Sequence, residues 1–247
     1  MTRALRRGPL ALVGGKEFMP GNEPQDEVLV GAAHSMGKGH PAFIVATAAV
    51  RQVPDRAVAT ARTWFSELGL AVEELPVRTR GSAMSEEVAS AAAQGSFFYL
   101  CGGDPGLVVR TLIDTPVWRA IVTAWRGGAA LGGSSAGAMA LGTWTLIRTR
   151  MPGDARREPR AALDLIPRIA VLPHHATFGW RWAPSATAAL QQDAAVLVGI
   201  DERTALVRHT GLWRVLGRGS VTVIGPSGQE RRFAAGARVS GVPAPRR

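Results

Sequence analysis

Short apolar runs separated by amphipathic stretches of helix length organise most of this chain. Runs at 10–13, 42–47, 71–77, 97–101, 129–133, 169–173 and 196–200 read as β-strands. Between several of them, residues 56–68, 85–94, 107–126, 136–141 and 181–193 carry the spacing of helices. Strand and helix alternating in this way predict a largely parallel sheet covered on both faces, because runs that are apolar throughout leave no strand face for water. The tail changes character. "ALVRHTGLWRVLGRGSVTVIGPSGQERRFAAGARV" has short β-like runs broken by glycines and predicts a small antiparallel extension. There is no internal repeat and no low-complexity linker, so the expectation is one domain over 1–247: an α/β three-layer sandwich with a mostly parallel central sheet.

Composition agrees with a packed protein. Hydrophobic residues make up 46% of the 247, enough for a sizeable core. The apolar runs are too short to span a bilayer, which predicts no membrane partner. At the N-terminus, "MTRALRRGPLALVGGKEF" sets arginines before an apolar run, yet 10–13 is shorter than a signal-peptide core and leads into glycines. It reads as a first strand, and the expected location is cytoplasmic. A single cysteine, Cys101, allows no internal disulfide and no cysteine-based metal cluster; within "FFYLCGG" it reads as a small buried strand residue. No metal or other cofactor is expected.

A net charge of +10 raises the question of a polyanionic partner. All the basic residues except Lys16 and Lys38 are arginines, and they are spread along the chain. There is one tyrosine, no stripe of alternating basic and aromatic residues and no zinc-finger spacing, so no nucleic-acid partner is expected.

The candidate chemistry sits in "AALGGSSAGAMAL". Gly133-Ser134-Ser135-Ala136-Gly137 fits G-x-S-x-G with Ser135 at the centre, after an apolar strand and before a helix. In such an elbow the nucleophile occupies a strained turn, and small neighbours let strand and helix approach closely. A serine nucleophile needs a base, a carboxylate to orient it, and donors for the oxyanion. His174 and His175 end the run "RIAVLPHHATF", at the kind of strand end where sheet enzymes gather their sites. Adjacent strand residues face opposite ways, which argues against a shared metal ion. Glycines in "YLCGGDPG" end a neighbouring strand and could supply free N–H groups to meet the amide of Ala136. Asp104 reads as the cap of the next helix, with Pro105 at its first position.

Taken together, "LALVGGKEF", "FFYLCGGDPG", "GGSSAGA", "VLPHH" and "GIDERTALV" resemble the serine peptidases that include dipeptidase E (aspartyl dipeptidase) and cyanophycinase, and the resemblance covers most of the chain. It implies a class I glutamine-amidotransferase-like fold and a Ser-His-acid triad. Ser135 matches the nucleophile, and Gly103 and Ala136 match the oxyanion donors. His174 matches the histidine, with His175 in the family's phenylalanine place. The family positions the acid in two ways. Cyanophycinase-like members imply Glu202, which also follows the expected strand 196–200; dipeptidase E implies an acid between serine and histidine, where Asp154 stands in "RTRMPGDARREP". Two rivals fit less well. α/β-Hydrolases place the histidine very late, whereas His174 follows Ser135 by 39 residues, and glutamine amidotransferases need a cysteine at the elbow.

Departures from the family bear on substrate. Pro105 stands where cyanophycinase has glutamine, and Leu172-Pro173 where it has Asp-Gln, so cyanophycin is not the expected substrate. Dipeptidase E has proline before its histidine, as here, and an arginine downstream, for which Arg181 is the candidate; Asp104 and Arg181 are the expected substrate-binding residues. The expected function is a serine hydrolase of small peptides or related amides, with aspartyl dipeptides among the substrates. The alternative is a catalytically silent relative that binds a small metabolite or protein partner in the same pocket, and it gains if no carboxylate reaches His174. Monomer and homodimer both remain open.

Overall fold

The computed structural model describes residues 7–37, 39–148 and 157–246. The first half is built on β1 (Leu10–Val13), β2 (Ala42–Val45), β3 (Glu73–Glu74), β4 (Phe97–Leu100) and β5 (Ala130–Ser134). Then come β6 (Gly142–Arg148), β7 (Arg157–Ala161), β8 (Ile166–Leu172) and β9 (Val196–Ile200), and the tail supplies β10 (Thr204–His209), β11 (Leu212–Gly217), β12 (Ser220–Ile224), β13 (Glu230–Ala234) and β14 (Arg238–Val239). Helices are α1 (Glu23–Ser35), α2 (Pro54–Glu67), α3 (Arg80–Ala83), α4 (Glu86–Ala93), α5 (Pro105–Leu112), α6 (Pro116–Arg126), α7 (Ala136–Ala140) and α8 (Ala183–Leu190).

The described strands form two sheets. One has eight strands in the order β14-β11-β10-β1-β5-β4-β2-β3, parallel from β1 to β3 and antiparallel from β1 to β14. The other has six, in the order β13-β12-β9-β8-β6-β7, with parallel pairs only at β6–β8 and β8–β9. The mixed α/β character and the parallel block follow the pattern of apolar runs. Strands β8 and β9, expected in the same sheet as the others, instead pair with each other and with β6 and β12 in the second sheet. The antiparallel extension is also divided, β10, β11 and β14 joining one sheet and β12 and β13 the other.

Strand β4 shows why these runs lack alternation. Phe98 and Leu100 pack with Leu10, Leu12 and Trp125 on one face, while Phe97 and Tyr99 pack with Val13, Leu29 and Phe65 on the other. Both faces are dry, so every position is apolar. The stretch 107–126, expected as one helix, is two. Pro116 cannot donate into a continuing helix and disfavours helical geometry in Thr115; Asp114 adopts φ 57°, and Thr115 caps α6 by accepting from the Trp118 N–H at 3.2 Å. The 71–77 run forms only the two-residue β3.

Helix α1 has no counterpart among the expected helices because its buried face is polar at Gln25 and Asp26. Asp26 is fully buried and accepts from Trp64 Nε1 at 2.8 Å; desolvation pushes its pKa up to about 8, against the pull of the Trp64 bond. The folded chain therefore keeps this proton up to about pH 8, whereas the unfolded chain releases it near the ordinary aspartate value of 3.8. Stability falls as pH rises between those values and levels off above them. Asp26→Asn keeps an acceptor for Trp64 and removes the titration. Its stability relative to wild type should rise between about pH 4.5 and pH 8, with a gain on the order of 4 kcal/mol at the upper end. Calorimetric unfolding at both pH values checks this, and a difference independent of pH rejects it.

Candidate active site

Register brings four chain segments to one sheet edge. In the parallel ladder Val13 lies opposite Ser134 and Leu100 opposite Gly133, so β1, β5 and β4 end side by side. Strand β10 runs antiparallel to β1 and pairs Ala205 with Val13, which carries the preceding Glu202 to the same edge. The turn after β8 is pinned there by two main-chain bonds, His174 N–H to Gly14 O at 2.7 Å and His175 N–H to Ile200 O at 3.0 Å.

Ser135 sits at φ 48°, ψ −108°, a strained conformation for a residue with a side chain, with its N–H bonded to Val13 O at 2.9 Å. The flanking glycines are steric requirements. A Cβ on Gly137 would lie 2.4 Å from Leu100 O, and one on Gly133 would lie 2.8 Å from the Gly137 carbonyl carbon. Helix α7 thus packs directly on the strands and aims Ser135 into a cleft of about 510 Å³ lined also by Glu17, Phe18, Gln52, Arg56, Gly103 and His174.

The Ser135 hydroxyl lies 3.1 Å from His174 Nε2, and His174 Nδ1 lies 2.8 Å from Glu202 Oε1. An ionised carboxylate can only accept, so Nδ1 carries the ring proton and Nε2 accepts from Ser135. Phe178 stacks on the imidazole with centroids 4.8 Å apart. Gly15, at φ 111°, leaves room for the ring, since a Cβ there would come within 2.2 Å of it. The neighbouring histidine turns elsewhere. His175 packs over Gly199, where a Cβ would meet its ring at 2.3 Å, and burial lowers its pKa.

The Gly102-Gly103 loop lines the same cleft as His174. Gly103 has φ 142°, and a Cβ would collide with Ala48 O at 2.1 Å. Among the described residues the N–H groups of Gly103 and Ala136 donate to no protein acceptor. Asp104 caps α5, accepting from the Leu107 N–H at 3.1 Å, and pairs with the exposed Arg51 at 3.7 Å. It lines a neighbouring cleft of about 650 Å³, with Arg51, Arg110 and Arg157, rather than the Ser135 cleft. Arg181 is exposed, sits 5.5 Å from the Trp180 ring centroid and does not line the Ser135 cleft. Asp154 lies outside the described residues. One residue of the site was not singled out from the sequence: Glu17, whose carboxylate accepts from the Gly102 N–H and from Ser134 Oγ, each at 2.8 Å. The only signal was an acid placed just past the Gly-Gly that ends β1.

The profile of Peptidase family S51 matches residues 10–215. The chain belongs to peptidase family S51. It is 32% identical to the cyanophycinase of Trichormus variabilis over 169 residues, 66% of this chain and 56% of that protein. It is also 32% identical to the cyanophycinase of Synechococcus elongatus over 171 residues, 66% of this chain and 52% of that protein. The matched region thus spans about half the length of these relatives. Among solved structures, a peptidase from an acI-B1 Actinobacterium superposes with a TM-score of 0.83 at 30% identity, over 96% of this chain and 98% of that one. A putative peptidase E from Listeria monocytogenes shares the fold, with a TM-score of 0.51 at 16% identity over 92% of this chain and 98% of that one. Among the described residues of this S51 chain, no cluster of histidine, cysteine and acidic side chains could hold a metal ion, and no helix is long and apolar enough to cross a membrane.

Proposed function

We propose that this S51 protein is a serine hydrolase of small peptides or related amides, acting as one peptidase domain with class I glutamine-amidotransferase-like layering. The observation that carries the reading is the continuous line from Ser135 Oγ through His174 to Glu202, at 3.1 and 2.8 Å. Ser135 attacks the substrate carbonyl while His174 Nε2 takes its proton. The developing oxyanion is held by the N–H groups of Gly103 and Ala136, and His174 returns the proton to the leaving amine. Water, activated by the same imidazole, then hydrolyses the acyl-enzyme. Glu202 holds the tautomer and stabilises the imidazolium. The silent alternative gains if no carboxylate reaches His174, so the 2.8 Å contact favours the enzyme.

Fluorophosphonate labelling followed by turnover on a dipeptide panel, with aspartyl dipeptides included, tests this function. Covalent labelling at Ser135 and cleavage of at least one dipeptide are the expected results; neither labelling nor cleavage would return the protein to the silent class. Glu202→Gln should lower kcat by roughly 10²–10⁴ with the fold intact, while Asp154→Asn changes it little. A larger loss in Asp154→Asn, measured on the same substrate, would move the acid to residue 154.

A further inference from the structure

Outside the Ser135–His174–Glu202 line, one carboxylate lines the cleft among the described residues, and its hydrogen bonds are specific. Glu17 is half-buried, three residues beyond Gly14, with both oxygens engaged. Oε1 accepts the main-chain N–H of Gly102, and Oε2 accepts the hydroxyl of Ser134, which is fully buried. Each partner immediately precedes a residue of the reaction centre: Gly102 comes before Gly103, and Ser134 before Ser135. One side chain therefore ties the loop after β4 to the elbow after β5. The approach is close enough that a Cβ on Gly102 would lie 2.9 Å from Oε1 and 3.4 Å from Ser135 Cβ. Other duties are already taken, since His174 Nδ1 is held by Glu202.

The loop needs such a tie. Its two adjacent glycines are permissive backbone, and Gly103 is exposed. Its other nearby anchors are main-chain bonds at Cys101 and Asp104, to Val45 O at 3.1 Å and Ala48 O at 2.9 Å. Oxyanion stabilisation depends on donors held in place before charge develops, and a misplacement of about 1 Å can cost about 10² in rate. We propose that Glu17 is a positioning residue that locks the Gly103 amide against Ser135 by bridging Gly102 and Ser134. This rests on the hydrolase reading above. Bonds to a charged acceptor are stronger than neutral ones, and a carboxylate is the group that can accept from two donors at once on separate oxygens.

Glu17→Gln tests the role with nearly unchanged shape, because the amide can accept on one side only and turns an NH₂ towards the other donor. The expected result is a fall in kcat of roughly 10²-fold, with KM within about threefold of wild type and an equal fall in the rate of fluorophosphonate labelling. Glu17→Asp, which keeps both acceptors on a shorter side chain, and Ser134→Ala, which removes one arm, should fall between wild type and Glu17→Gln. Ser135→Ala is run alongside. Labelling that survives in Ser135→Ala sinks the hydrolase reading itself. If Ser135→Ala is dead but Glu17→Gln keeps kcat within about threefold of wild type, the positioning role alone is overturned. It is also overturned if the loss appears in KM with kcat unchanged, which would make Glu17 a substrate contact. A loss that follows thermal stability equally across all three variants would make Glu17 merely structural, and that too overturns the positioning role.

Discussion

Ser135→Ala should lose fluorophosphonate labelling and about 10⁴ to 10⁶ of turnover, whereas Ser134→Ala should keep turnover within about tenfold of wild type. The two serines are adjacent but physically unlike. Ser135 opens into the cleft at a strained φ, with its hydroxyl on His174 Nε2. Ser134 is the last residue of β5, has no exposed surface, and gives its hydroxyl to Glu17. A hydroxyl with no exposed surface, absent from the cleft lining and turned to Glu17, has no route to a substrate carbonyl. Intact-mass measurement of the labelled protein, with peptide mapping of the adduct, checks the assignment. An adduct on Ser134, or full labelling of Ser135→Ala, would reject it.

The second large effect concerns the histidine pair. His174→Ala should lose about 10⁴ to 10⁶ of turnover, and His175→Ala should stay within about tenfold of wild type. His174 stands between Ser135 and Glu202, stacked on Phe178, with its main chain at φ 51° and its N–H bonded to Gly14 O. His175 sits against Gly199 on β9, where burial favours its neutral form, and it is not part of the lining of the Ser135 cleft. Truncating His175 opens space over β9, so its cost belongs in thermal stability, of order ~1 kcal/mol, rather than in turnover. Steady-state kinetics on the best dipeptide, paired with unfolding curves, separates the two. The reverse ranking would assign the base to His175.

How legible the site was depended on how local each constraint is. The elbow could be read directly. Gly133 and Gly137 are needed because α7 lies against its own strand and against Leu100 O, a contact between near neighbours and the adjacent strand. Glu202 was one of two acids consistent with the sequence, and its contact with His174 depends on β9 ending near β10 and on β10 pairing with β1. Asp104 illustrates the converse: its capping bond was written in the Asp-Pro pair, while a role towards substrate depended on which cleft it faces. Glu17 left almost no trace, because its partners are 85 and 117 residues away.

By itself, then, the sequence determined most of the apolar strands, the parallel block, the strained serine and the glycines around it, since these follow from apolar runs and from close packing along short stretches of chain. Tertiary structure decided the rest. It divided the strands between two sheets, cut 107–126 into two helices, buried the acid of α1 against Trp64, and selected which histidine meets Ser135 and which carboxylate meets that histidine. Each of those outcomes depends on pairing and burial between distant segments, which local periodicity does not encode.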